Sequence, residues 1–517
     1  MRICLISREY PPETGFGGIA TFTKHLAHGL KALGHEVVVV ALAKDKAKVV
    51  DDDGVAVHRV EPYPFVSKLG TLSMCIPYSK YVLLCATALW DKFAELHNEK
   101  PFDAVDTPEL LAEGLFPAVT QTVPLVIRLY TPHSKFIAEK LHNVEPSFDH
   151  QFVAMLERVA MLQADIITSP SNDLAEFVAL DLGISIDDIA IVRNPIDTTV
   201  FSPEGDKAIS PQDGMLSVLF VGRLEERKGI HYLVEAIPQV VSQFQQVHFV
   251  IIGDDTNTAK GGTSVLTELK QALRRSNCEK YVTFIDRIAL TDLPKYYRSA
   301  DISIVPSVYD NSPYTCLEAM ACGTPVIGSS AGGTKEYVVD GESGIIIPPR
   351  DSAAITRALV KLLSDDEERR RLSKNARKRA VDCFDRSEIG RQTAILYEKA
   401  AQLHASRKKS VEARTLYHHD YRRATEDAAT LIDSFDKGIY DLLYQQSYRF
   451  RLRHWGRLIK ARPKLFAAKV LYKISGLFLR LTGKKAEQYP DAVKRLALSI
   501  EVKDKERLSG KLAGKHK

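Results

Sequence analysis

The chain has 517 residues, 45% of them apolar and 26% charged, with 29 Gly and 24 Pro. That length exceeds one hydrophobic core and calls for two domains plus an appendage, and the composition excludes a disordered or fibrous chain. The net charge of +5 is uneven: 12 of the 70 Lys and Arg, and no Asp or Glu, lie between Arg449 and Lys485, so 58 basic residues face 65 acidic ones elsewhere.

From the N-terminus, Arg2 to Ser7 predicts a buried strand, followed by a loop ending in Gly15-Phe16-Gly17-Gly18, an amphipathic helix from Ile19 to Leu33 closed by Gly34, and a strand from Glu36 to Ala41. This is a βαβ opening. Further strands at Ala104-Val105, Leu125 to Leu129, Asp165 to Thr168 and Ile189 to Val192 alternate with helices, which predicts a parallel sheet covered on both faces. Asp51-Asp52-Asp53 fits an Asp-x-Asp metal pattern but precedes Gly54, and reads as a solvated turn. The apolar stretch around Tyr81 to Leu89 is closed by Asp91 and Lys92, short of the roughly 20 residues that span a bilayer. The first apolar run is too short for a signal peptide, and the seven cysteines form neither a C-x-x-C pair nor a zinc-spaced cluster. A reducing, cytoplasmic setting without bound metal or cofactor is expected.

Residues 201–214, with Pro203, Gly205, Pro211 and Gly214, lack apolar periodicity and are expected to link residues 1–200 to a second domain over 215–386. There the strand Met215 to Val221, the helix Ile230 to Phe244 and the strand Val247 to Ile252 open a second series that runs to a strand at Gly344 to Ile347. A closing helix is expected over 387–405, and a helical basic extension over 406–517. Two doubly wound α/β domains place their ligand beyond the carboxyl ends of the strands, where helix N-termini offer free N–H groups. The strand-to-helix loops therefore carry the chemistry. Gly222-Arg223 and Lys228-Gly229 put a guanidinium and an ammonium where a diphosphate would bind, or where two solvated cations would sit. In Asp310-Asn311-Ser312-Pro313-Tyr314-Thr315, Ser312 is expected to cap a helix and Pro313 to occupy its first position. Glu318 then lies among Leu317, Ala319 and Met320 and needs a partner, either sugar hydroxyls or a structural Arg or Lys. His133 follows a strand and reads as a cleft residue or as an exposed histidine before a helix.

Taken together, these segments resemble the retaining GT-B glycosyltransferases grouped as family 4. Gly17-Gly18, Asn194-Pro195-Ile196-Asp197, Gly222-Arg223-Leu224 with Lys228-Gly229, Gly253-Asp254, Asp310 to Glu318, Ala319 to Val326 and Gly332-Gly333 with Glu336 stand in the family's order. The resemblance covers about residues 1 to 405. It implies two Rossmann-like domains facing across a cleft, with a nucleotide-diphosphate sugar as donor substrate and an acceptor that the sequence does not identify. It further implies that Arg223 and Lys228 bind the diphosphate, that Glu318 binds ribose hydroxyls, and that Asp310, Asn311, Pro313, Tyr314 and Thr315 bind donor sugar and phosphates. Asn194, Gly222 and Gly253 complete the donor side, Gly17 and Gly18 approach the phosphates or acceptor, and His133 joins the catalytic set. The family's reaction retains the anomeric configuration, needs no metal, and is described as front-face displacement. Two positions depart from the pattern: Asp310 stands where the first Glu of a Glu-x7-Glu motif is usual, and Tyr130 where His is frequent.

The tail repeats Leu465, Phe466, Val470, Leu471, Ile474, Leu477, Phe478 and Leu481 at helical spacing beside Lys464, Lys469, Lys473 and Arg480. This basic amphipathic helix suits an anionic membrane surface or packing on the body, and lacks a nucleic-acid recognition motif. Rival readings are a non-catalytic nucleotide-sugar-binding GT-B protein acting through its tail, and a nucleotide-sugar epimerase.

Overall fold

The computed structural model describes residues 1–15, 17–62, 77–140, 147–208, 214–259 and 262–414. The first sheet is formed by β1 (Arg2–Ile6), β2 (Glu36–Leu42), β3 (Lys48–Asp52), β4 (Val55–Val60), β5 (Ala104–Pro108), β6 (Leu125–Arg128), β7 (Ile166–Ser169) and β8 (Ile189–Ile191). Its order is β3-β4-β2-β1-β5-β6-β7-β8. Around it lie α1 (Gly18–Ala32), α2 (Pro77–Glu99), α3 (Leu115–Thr120), α4 (His133–Lys140), α5 (Phe148–Gln163) and α6 (Asn172–Leu182). Strand β2 reads EVVVVAL and is buried beyond its first residue, as expected of a strand covered on both faces.

The second sheet contains β9 (Leu216–Val221), β10 (Val247–Ile252), β11 (Val282–Ile285), β12 (Ile302–Val305), β13 (Val326–Ser329) and β14 (Gly344–Ile347), ordered β11-β10-β9-β12-β13-β14 and parallel throughout. Its helices are α7 (Ile230–Gln243), α8 (Val265–Arg275), α9 (Leu293–Ser299), α10 (Tyr314–Ala321), α11 (Thr334–Tyr337), α12 (Ser352–Ser364) and α13 (Asp366–Phe384), after which α14 (Arg386–Arg414) ends the described chain. In both sheets the order reverses beside the first strand, so each domain has a switch point at the carboxyl ends of its central strands.

The solvated turn expected at Asp51 to Gly54 is present in part: Asp53 and Gly54 form an exposed turn, while Asp51 and Asp52 end β3, which pairs with β4 as an antiparallel hairpin. The Asp52 carboxylate accepts from the Tyr10 hydroxyl at 2.7 Å and pairs with Lys24 at 3.1 Å and His28 at 3.0 Å. Strand β3 lies at the sheet edge with Val49 and Val50 exposed, so it lacks the apolar alternation that marks a strand in sequence.

The chain crosses to the second domain ahead of the 201–214 segment expected as a linker. Ile196 and Phe201 already belong to the second domain's core, and Arg298 donates to the Ser202 and Val200 carbonyls. The return crossing pairs with the first: Ile196 N donates to the Phe384 carbonyl at 2.8 Å and Arg386 N to the Ile196 carbonyl at 2.9 Å. Helix α14 then lies against α1 backbone to backbone, since a Cβ on Gly29 would meet the Arg386 carbonyl oxygen at 2.1 Å. The buried Tyr397 hydroxyl donates to Asp106 at 2.7 Å, and Asp106 also holds Arg128. The closing helix is thus fastened to the first sheet. No helix among the described residues is long and apolar enough to cross a membrane. Residues 415–517 lie outside the described residues, and with them the basic helix expected within 449–485.

Candidate active site

The site starts at the carboxyl end of β9. Gly222 N donates to the Ile252 carbonyl at 2.9 Å, and Gly253, at φ 151°, comes so close that a Cβ there would lie 2.0 Å from the Gly222 oxygen. Only glycine lets these two strand-end loops touch. Arg223 projects from them with its side chain 53% exposed and its Nη2 3.2 Å from Glu225 Oε1. Arg227 shares the same carboxylate at 2.9 Å. Lys228 ends a short 3₁₀ turn and donates to Asp310 Oδ2 at 2.5 Å, while Arg227 Nη1 stands 3.7 Å from that oxygen. Burial opposes the Asp310 charge, but Lys228 and Arg227 together hold its carboxyl below the usual range. Three cations and two carboxylates therefore meet at the carboxyl ends of β9 and β12.

Helix α10 follows β12. Ser312 does not cap it, as the sequence suggested. The helix begins at Tyr314 with Pro313 as N-cap and no side-chain cap, because the Ser312 hydroxyl is engaged with the Tyr337 hydroxyl at 2.5 Å. Glu318 is 5% exposed, and its partner is neither Arg nor Lys: the Tyr297 hydroxyl of α9 donates to its Oε2 at 2.8 Å. Burial pushes the Glu318 carboxyl up to about 7, with the Tyr297 hydrogen bond and the charge of Lys228 pulling the other way. The Gly332-Gly333 turn holds the preceding loop in place. Gly333 N donates to the Asp310 carbonyl at 2.9 Å, and a Cβ on Gly333 would lie 2.0 Å from the Asn311 oxygen.

The first domain meets this loop directly. Gly17 is the N-cap of α1 and supplies no side chain, and a Cβ there would meet nothing within 4 Å. Gly18 faces Tyr314, whose ring would lie 3.7 Å from an added Cβ. The α1 terminus thus lies against Tyr314, the first residue of α10. Asn311 donates to the Thr131 hydroxyl at 2.8 Å and its Oδ1 lies 2.7 Å from the Tyr309 hydroxyl, which also reaches Asp173 at 2.5 Å. Thr315 is the second residue of α10. Asn194 sits at the domain crossing, its backbone N–H donating to the Tyr337 hydroxyl at 3.2 Å and its amide to the Ser312 carbonyl at 3.4 Å.

Glu336 spans the domains more firmly. Both of its oxygens accept from Asn172 N at 3.0 Å, Asn172 Nδ2 donates at 2.7 Å, and Arg193 pairs with it at 2.7 Å. A carboxylate of the second domain thereby closes the N-terminus of α6 in the first. Glu336→Ala is expected to lower stability by about 1–2 kcal/mol, the cost of a lost cap together with the lost Arg193 ion pair, since Arg193 keeps only its bond to the Pro170 carbonyl. Urea unfolding reads this as a lower midpoint, and an unchanged midpoint would show that the contact holds nothing.

His133 is placed differently from the other residues. It is buried, not exposed, and opens α4 with its backbone N–H donating to Glu157 at 2.6 Å. Its Nε2 lies 2.8 Å from His150 Nδ1, and its ring packs on Phe136, Tyr78 and His150, all in the first domain. Burial, then the neighbouring His150, pushes it down to about 4. Arg223, Lys228, Asp310, Asn311, Tyr314 and Glu318 come together at the second domain's strand ends, whereas His133 does not join them.

Sequence reasoning missed Tyr297, Arg227, Tyr309 and Asp173. Arg227 adjoins Lys228 and was visible as a further cation in the same turn. Tyr297 had no signal, being 21 residues from Glu318 on a different helix, so only packing pairs them.

Two family matches divide the chain at the crossing: a glycosyl transferase 4-like domain over residues 17–195 and glycosyl transferases group 1 over residues 204–379. The glycogen synthase of Mycobacterium tuberculosis is 26% identical over 412 residues, which is 77% of this chain and 94% of that protein. Sucrose-phosphate synthase from Thermosynechococcus elongatus superposes with a TM-score of 0.63 at 23% identity, covering 78% of this chain and 99% of the other. HepE from Anabaena, solved in complex with UDP-glucose, superposes with a TM-score of 0.56 at 19% identity over 77% of this chain and 99% of its own.

Proposed function

Since the chain belongs to the GT-B glycosyltransferases of the family 4 type, we propose that it moves a sugar from a nucleoside-diphosphate sugar to an acceptor hydroxyl, with retention of anomeric configuration and without a metal ion. The observation that carries this reading is the charge cluster at the strand ends of the second domain, where Lys228 and Arg227 hold Asp310 while Arg223 and Arg227 share Glu225. The complex of HepE with UDP-glucose supports a nucleotide sugar of this chemistry as the donor.

In this reading the diphosphate lies between Arg223, Lys228 and the α1 terminus. These cations stabilise the charge that develops on the leaving group, which is the work a metal ion does elsewhere. Asp310, drawn down by Lys228, presents a carboxylate to the donor sugar; as it is one methylene shorter than the usual Glu, it leaves room for a different substituent. Glu318 accepts from the ribose hydroxyls in its ionised form. The acceptor approaches from the first domain. Residues 449–485 supply the charge for peripheral attachment to an anionic membrane on its cytoplasmic side.

The test is a thermal-shift and hydrolysis screen of the purified chain against nucleoside-diphosphate sugars with a chelator present. One donor is expected to raise the melting temperature and to release its nucleoside diphosphate slowly, and transfer product is expected to keep the donor's anomeric configuration by NMR. Binding without hydrolysis or transfer would move the reading to a non-catalytic nucleotide-sugar-binding protein. Activity lost with chelator and restored by a divalent cation would remove the metal-independent part, and free rearranged sugar without acceptor would indicate an epimerase.

A further inference from the structure

Between β12 and α10 the chain has no regular structure, and its backbone is held within its own domain. Val308 N donates to the Arg227 carbonyl at 2.8 Å, Arg227 Nη1 to the Tyr309 carbonyl at 3.1 Å, and Gly333 N to the Asp310 carbonyl at 2.9 Å. The side chains divide. Asp310 turns to Lys228 of the second domain, while Tyr309 and Asn311 on either side of it turn to the first.

Both side chains meet anchors that the first domain fixes. Asn311 donates to Thr131 Oγ1 at 2.8 Å, and the segment carrying Thr131 is itself fastened: Tyr130 N donates to both oxygens of Glu109, at 2.8 and 2.9 Å, and His133 N to Glu157 at 2.6 Å. Both of these carboxyls are buried. Tyr309 is held from two sides. Its hydroxyl donates to Asp173 Oδ2 at 2.5 Å, in the first turn of α6, and the Lys135 ammonium of α4 lies 4.5 Å from its ring centroid. Lys135, with a side chain 8% exposed, also faces Asp173 at 3.9 Å and the Phe177 ring at 4.4 Å.

We propose that Tyr309 is a positioning residue for transfer, and that Asp173 and Lys135, in the opposite domain, set through it where Asp310 stands against the donor sugar. The inference rests on the reading of Asp310 as a donor-sugar contact. Two observations favour positioning over adhesion alone. Apolar side chains would join two domains without the cost of burying an ammonium, whereas a carboxylate at the hydroxyl and a cation on the ring face fix a phenol in direction as well as in place. The phenol also adjoins Asp310 in the chain, so a shift of the ring carries the carboxylate with it, and a misplacement of about 1 Å costs on the order of a hundredfold in rate. The donor side of the cleft is thus finished by residues of the acceptor side.

The experiment is steady-state kinetics of the full chain on the nucleoside-diphosphate sugar that it hydrolyses in the screen, with the melting temperature measured alongside. It compares the unaltered chain with Tyr309→Phe, Asp173→Ala, Asp173→Asn, and Tyr309→Phe combined with Asp173→Ala. Tyr309→Phe keeps the ring on Lys135 and loses only the hydroxyl, so kcat is expected to fall about thirtyfold while the donor KM moves less than about threefold and the melting temperature holds. Asp173→Ala is expected to match it in kcat, and Asp173→Asn to recover most of the turnover, because its amide oxygen still accepts from the phenol. The combined variant is expected to be no slower than either single one, since both remove the same contact. Full turnover in Tyr309→Phe, or losses that multiply in the combined variant, would overturn the proposal and leave the transferase reading standing. A lower melting temperature with unchanged kcat would reduce the contact to adhesion and overturn it equally. If the unaltered chain turns over no donor, the transferase reading fails and this role of Tyr309 fails with it.

Discussion

Alanine at Lys228 is expected to cut donor turnover about a thousandfold, the scale of removing one preorganised group from a site where negative charge develops. The substitution removes two things at once. The leaving diphosphate loses its nearest ammonium, and Asp310, with a side chain 13% exposed, is left with Arg227 at 3.7 Å and the Ser312 backbone N–H. Stranding a partly buried carboxylate costs about 2–4 kcal/mol. Lys228→Ala combined with Asp310→Asn separates the two effects. The amide carries no charge, so the double variant is expected to regain the melting temperature lost by the single one while turnover stays low. Recovery of turnover would show that neither the Lys228 charge nor the Asp310 carboxylate is needed for transfer. Arg223→Ala makes a useful comparison: this side chain is half exposed and held by one carboxylate, so its loss is expected to leave the fold unchanged and to lower turnover about a hundredfold.

Donor affinity is expected to rise with pH through about 7, following Glu318. Near pH 4 and below, Glu318 is protonated in both the folded and unfolded chain and contributes nothing to the pH dependence. Between about 4.5 and 7 the unfolded chain ionises it while burial keeps the folded carboxyl protonated, so the stability of the unliganded protein falls as pH rises through that window. Above 7 the folded protein carries the buried charge, offset in part by the Tyr297 hydroxyl and Lys228. Ribose hydroxyls donate to the ionised form, so binding below pH 7 should release a proton. Glu318→Gln is expected to flatten the pH dependence and to weaken binding at pH 8 about a hundredfold, as expected for a hydrogen bond to a charged group in a buried site. Titration calorimetry at pH 6 and 8, in two buffers of different ionisation enthalpy, measures both. Equal affinity at the two pH values with no proton release would detach Glu318 from the donor.

Most of what positions this site was legible in the sequence. Continuous apolar runs such as Glu36 to Leu42 mark strands covered on both faces, and their alternation with helical periods dictates two doubly wound sheets and hence the loops where a ligand binds. Glycines at 222, 253 and 333, where a side chain would strike a facing carbonyl or strain the backbone, mark the loops that touch, since only packing that tight excludes every other residue. The sequence singled out the cations Arg223 and Lys228 and the carboxylate Glu318 from their strand-to-helix loops and helix, and the family resemblance added Asp310. What the sequence could not decide was pairing over distance. Which acid Lys228 holds, that Tyr297 rather than an Arg meets Glu318, that Glu336 closes a helix of the opposite domain, and that His133 turns to His150 instead of the cleft are all set by how separately formed elements dock. Local periodicity reports which face of an element is buried. It carries no record of the partner that face will meet, and that was decided only when the two sheets and α14 closed on one another.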